Sequence, residues 1–175
     1  MLTENIYLKS MASKLFVDSD ILLDLFLTRH PFYIYSRKLL DLADSNKIDL
    51  FTSSVIVNNL FYFIAKDAGK QTAKASIKLL IEICKVLPVD EHIVKLALDS
   101  EFTDFEDALQ YFSALKFNCD KIITRNIKDY KQSTIPVLNC SKRSFIIPLV
   151  PKNLIRKVSS SSALAGENAF ISVVY

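Results

Sequence analysis

Short apolar runs alternate with stretches of helical apolar spacing along most of this 175-residue chain. That alternation narrows the fold to a parallel sheet covered by helices. Lys14 to Asp18 reads K-L-F-V-D, a strand-like run ending in an acid, and residues 21–27 then space their apolar side chains as a helix does. Pro31 suits the first turn of a second helix, whose face of Tyr35, Leu39, Leu42 and Ala43 runs until Ser45 and Asn46 stop it. Residues 48–52 read as the second strand. Ser53 or Ser54 caps a helix to about Lys66, Gly69 helps to stop it, a further helix covers 72–84, and the third strand covers 85–89. Asp90 caps the next helix. Thr103 and Glu106 have capping-box spacing, which makes Asp104 the first helical residue and sets Asp107 one turn on, both at the positive end of the helix dipole. Residues 120–124 form the fourth strand, 126–130 a short turn or helix, and 135–138 a candidate fifth strand. The expected architecture is a three-layer α/β/α domain with a central, mainly parallel sheet of four or five strands.

With 50% hydrophobic residues the chain can bury one core of its own. The expected division is a leader over 1–13, with a vague likeness to a protease-cleavage linker, a domain over 14–148, and a linker or tail over 149–175. The longest apolar stretches, 21–26 and 60–65, are far too short to span a membrane, and no export signal is visible near Met1, so a soluble, cytoplasmic protein is expected. Cys84, Cys119 and Cys140 are widely spaced and sit in apolar patterns, as structural thiols do. A net charge of +3 neither demands nor excludes a nucleic-acid ligand. Two glycines in the whole chain leave no material for a Gly-rich phosphate loop, which argues against a nucleotide cofactor.

Ligands of open α/β sheets collect beyond the carboxyl ends of the strands. Asp18 falls at that rim after the first strand, Asp104 and Asp107 reach it if the helix at Thr103 begins there, and Arg125, Asn126 and Asp129 follow the fourth strand. Converging carboxylates without histidine or cysteine make an oxygen-only site suited to Mg²⁺ or Mn²⁺, and a divalent cation offsets their mutual repulsion. The chemistry implied is metal-assisted hydrolysis of a phosphodiester.

Three stretches carry a resemblance to a known family: F-V-D-S-D-I-L-L-D from Phe16, F-T-D-F-E-D-A-L-Q from Phe102, and I-I-T-R-N-I-K-D-Y from Ile122. In order and spacing the chain resembles the PIN-domain family, which includes the VapC-like ribonuclease toxins, over roughly residues 14 to 140. The resemblance implies a metal-dependent RNase fold in which Asp18 is the first metal-binding acid, Asp107 the acid opening D-A-L, and Asp104 an accessory acid. Where many members carry a glutamate on the helix after the second strand, this chain offers Asn59 or else Asn58, an amide whose oxygen can coordinate a cation without adding charge. Asp20, Asn126 and Asp129 are further candidates for the metal shell, with Asp20 expected nearer to it than Asp24.

Arg125, Lys128 and Lys131 are candidates for holding RNA phosphates. Arg29, His30 and Lys66 are second-tier cations, and Tyr33 and Tyr62 are candidate base-stacking rings. Structural roles stand beside these: Arg125 equally suits neutralising Asp129 or a neighbouring carboxylate, Asn59 suits a buried amide serving backbone groups, and Asp104 suits a helix cap. Three functions fit the pattern. The leading one is an Mg²⁺- or Mn²⁺-dependent endoribonuclease acting as the toxin of a toxin–antitoxin pair, with an antitoxin partner and a homodimer implied by the resemblance. The second is a catalytically weak or inactive RNA-binding or protein-interaction module, and the third a phosphatase for small substrates, which the missing phosphate cradle disfavours.

Overall fold

Leu15, Phe16 and Val17 of β1 (Ser13–Val17) are all 0% exposed, so this strand is covered on both faces. Alternate side chains of a strand point to opposite faces, and only a sheet with layers on each side buries three in a row. The computed structural model describes residues 12–140, and within them five strands run in the order β3-β2-β1-β4-β5, every neighbouring pair parallel. The expected sheet is therefore present with β1 at its centre. The leader and tail expected over 1–13 and 149–175 lie almost wholly outside the described residues.

The helices between strands are α1 (Ser19–Phe26) and α2 (Tyr33–Asp44) before β2 (Ile48–Ser53), and α3 (Ser54–Ala68) and α4 (Lys70–Ile83) before β3 (Cys84–Leu87). Next come α5 (Glu91–Leu98) and α6 (Phe105–Lys116) before β4 (Lys121–Ile123), then a 3-10 turn (Ile127–Tyr130) and β5 (Val137–Leu138). The main core joins the sheet to α1, α2, α3 and α4 through Ile21, Leu39, Ile56, Leu60 and Leu80. A second cluster of Ile93, Ala97, Ala108 and Leu109 seals α5 against α6. The three cysteines are free and buried, each thiol pushed up to about 12 chiefly by burial, which is the inert state expected of structural thiols. Among the described residues no helix is long and apolar enough to cross a membrane.

Local chemistry sets the boundaries. Ser53 caps α3 by accepting from Ile56 N at 3.1 Å, and Asp90 caps α5 by accepting from Ile93 N at 3.1 Å. Two expectations need correction. Pro31 lies before α2, after a cis peptide from His30, and the helix begins at Tyr33. Thr103 does not cap α6: Asp104 does, its Oδ1 accepting from Glu106 N at 2.8 Å and Asp107 N at 3.1 Å. A charged carboxylate oxygen is a stronger acceptor for the orphan amides at the positive end of the helix than a neutral threonine hydroxyl, so the cap moves one residue along. Glu106, expected to close the capping box, is freed to point elsewhere.

Candidate active site

Asp18 ends β1 and caps α1, a junction that holds its backbone through Asp18 N to Ile123 O at 3.0 Å. Its carboxylate is 6% exposed, Oδ1 accepting from Ser19 N at 2.6 Å and Oδ2 from the Tyr130 hydroxyl at 3.3 Å. Burial, with Asp20 beside it, raises its pKa to about 6. Asp107, in the first turn of α6, is raised to about 7 by burial and then by the charges of Asp18, Asp104 and Asp129, while a hydrogen bond with Tyr130 works the other way. Two carboxylates from opposite ends of the domain thus meet at one phenol. A hydroxyl has one proton and can donate to only one of them at a time. Burial is the main cause of both raised values, and the neighbouring carboxylate charges add to it.

Tyr130 is 2% exposed and backed by Phe102, whose ring centroid lies 6.3 Å away, and by the Phe102–Tyr111 stack. Burial beside Asp18 and Asp107 pushes its own pKa far up, so it stays a donor. The aromatic wall and the phenol were not singled out in the sequence, where Tyr130 reads only as the end of a short turn.

Asp20 lies one step further round the rim. Its Oδ2 accepts from Arg125 N at 2.8 Å, and its Oδ1 is buried without a hydrogen-bond partner. Asp18 stands in the field of Asp20, as does Asp20 in that of Asp24. Arg125 turns inward: its Nε lies 3.1 Å from Asp24 Oδ2 and 3.4 Å from Asp20 Oδ2, and its guanidinium stacks 4.4 Å from the Phe32 ring centroid. Of the two roles open to Arg125, carboxylate neutralisation is the one its geometry serves, through Asp20 and Asp24 and not Asp129. Asn126 and Asp129 bond each other through Nδ2 and Oδ2, and Asp129 also bears on Asp107. Lys128 and Lys131 are exposed on the same turn.

Asn59, half-buried on α3, donates its Nδ2 to Glu106 Oε1 at 3.0 Å. Glu106 is partly buried, and burial together with the charges of Asp18 and Asp104 raises its pKa. Asn59 therefore meets α6 through its amide nitrogen, where the sequence offered its oxygen. Among the described residues no three His, Cys, Asp or Glu side chains are drawn together as a ready cage for an ion. The donor chemistry nonetheless fits a hard divalent cation: all-oxygen ligands, raised pKa values at Asp18 and Asp107, and a buried, unpartnered Asp20 Oδ1.

The fold and this rim define a parallel α/β domain with an acidic site beyond the carboxyl ends of β1 and β4. A family model for the PIN domain matches residues 14–128, and the chain belongs to that family. Ribonuclease VapC1 of Aquifex aeolicus (strain VF5) is 33% identical over 132 residues, 73% of this chain and 90% of that protein. Among solved structures, VapBC2 from Rickettsia felis bound to a promoter DNA fragment aligns with a TM-score of 0.57 at 15% identity, over 72% of this chain and 98% of that one. A toxin–antitoxin complex from Klebsiella pneumoniae aligns with a TM-score of 0.56 at 22% identity, over 74% and 99%.

Proposed function

We propose that this chain is an Mg²⁺- or Mn²⁺-dependent endoribonuclease, the toxin of a toxin–antitoxin pair. The observation that carries the reading is the meeting of Asp18 and Asp107 at the Tyr130 hydroxyl, with pKa values raised to about 6 and about 7. The similarity to a ribonuclease and the fold shared with toxin–antitoxin proteins support this reading.

Asp18 and Asp107 would hold the cation, with Asp20 and Asp104 beside them and Asn126 and Asp129 at the margin. The cation supplies a Lewis acid for the phosphodiester and a means of acidifying water. Tyr130 fixes the orientation of Asp18 Oδ2, and the Phe102 wall keeps bulk water from behind the site. A carboxylate of this rim accepts the proton of a water whose oxygen attacks phosphorus as the bond to the leaving oxygen breaks, and the leaving oxygen takes up a proton from solvent. Lys128 and Lys131 contact RNA phosphates as mobile point charges, whereas Arg125 acts from inside by fixing Asp20. Exposed Tyr62 and Phe63 on α3, with Leu79 and Ile81 on α4, are apolar surface for an antitoxin or a second copy of the chain.

Asp18→Asn and Asp107→Asn should each abolish Mn²⁺-dependent cleavage of RNA while leaving the fold intact by circular dichroism. Unchanged cleavage in either variant would remove that residue from the mechanism. A second reading, a PIN domain that binds RNA or a partner without turnover, is favoured by the absence of a ready ion cage among the described residues. Calorimetry separates the two, because a binding module does not require Mn²⁺ at this rim.

A further inference from the structure

Two side chains at the rim have a geometry that their sequence positions do not explain. Consecutive residues of an α-helix point about 100° apart, so Glu106 does not share the direction of Asp107 by default. It is brought round by Asn59, whose Nδ2 lies 3.0 Å from Glu106 Oε1 across a gap of 47 residues in the chain. A glutamate in the first turn of a helix ordinarily gains by staying in water near the positive end of the dipole. Glu106 is instead half-buried, held across to the helix after β2 from the same first turn that carries Asp107. One neutral amide is a poor return for that move.

We propose that Glu106 is a further carboxylate of the cation site and that Asn59 is its positioning residue. This rests on the ribonuclease reading and deepens it. Asn59 then acts as a donor that aims an acid, not as a ligand through its own oxygen. The helix after β2 contributes the aim, and α6 contributes the charge. Asp104, already committed to the amides of Glu106 and Asp107, steadies the turn from which both acids project.

The test is Mn²⁺ binding measured by calorimetry on the full chain without RNA. Glu106→Gln should weaken binding by about 10-fold or more, and Asn59→Ala by about 10-fold, the range typical when a ligand or its orienting partner is lost. The exchange variant, with Asn59→Glu and Glu106→Gln together, should regain a measurable part of the affinity that Glu106→Gln loses, which a merely structural hydrogen bond would not do. Should Glu106→Gln misfold, Glu106→Asp and the exchange variant carry the same comparison. Wild-type Mn²⁺ affinity in Glu106→Gln, with affinity lost in Asp18→Asn, overturns this inference and spares the ribonuclease reading. No Mn²⁺ binding by the unaltered protein overturns both.

Discussion

At the scale of single residues, the chain keeps charge where water would be cheaper. Asp107 is surrounded by Asp18, Asp104, Asp129 and the Tyr130 hydroxyl, and its pKa lies at about 7, well above the ordinary carboxylate value near 3.9. A carboxyl whose pKa is raised on folding binds its proton more tightly in the folded state, so its contribution to stability is full below about pH 4 and lost as pH rises through 7. Without metal, the protein should therefore melt at a lower temperature at pH 8 than at pH 5, with Asp18 adding to the fall through its value of about 6. Asp107→Asn should flatten that decline, since an amide does not titrate. Thermal unfolding at the two pH values checks it, and an identical decline in the variant would show that the burden lies elsewhere.

Elements show how far a sequence can be read. Strands one to four were legible within two residues at each end, because apolar runs of that length bounded by polar residues have few alternatives in an alternating pattern. The start of α6 was read one residue early. Threonine and glutamate at capping-box spacing are a true signal, but the next residue, Asp104, outcompetes Thr103 for the same amides. That shift is why Glu106 was read as a cap and missed as a member of the site. Its contact with Asn59 is tertiary, and no local pattern encodes it. Asp18 and Asp107 were legible because an acid flanked by buried apolar residues at a strand end or helix start is conspicuous. Tyr130 was not, since one aromatic among many carries no mark of what its hydroxyl touches.

The joint between α3 and α4 gives a prediction at the same scale. Gly69 there has φ 89° and ψ 158°, a conformation closed to residues with a Cβ, although nothing lies within 4 Å of the place a Cβ would occupy. Gly69→Ala should destabilise the fold by about 1–3 kcal/mol through backbone strain alone. Urea denaturation measures it. A neutral result would mean that the joint relaxes freely, and that the two helices are not held at this angle by their connection.

For the whole molecule, topology decides which parts depend on which. β1 pairs with β2 on one side and β4 on the other, so the centre of the sheet is completed only by a strand from late in the domain. A chain cut after Asn118 keeps β1, β2, β3 and all six helices but leaves the β4 side of β1 open, exposing Phe16 and Val17 and orphaning Asp18 N. Such a fragment should lack a cooperative thermal transition, and a full native-like transition would show that β4 merely decorates a finished core. The order of strands also bears on synthesis. Asp18 leaves the ribosome early, yet the phenol that orients it and the strand that anchors its backbone are among the last parts of the domain to emerge. An unfinished copy thus carries its first acid with nothing to aim it until translation of the domain is nearly over.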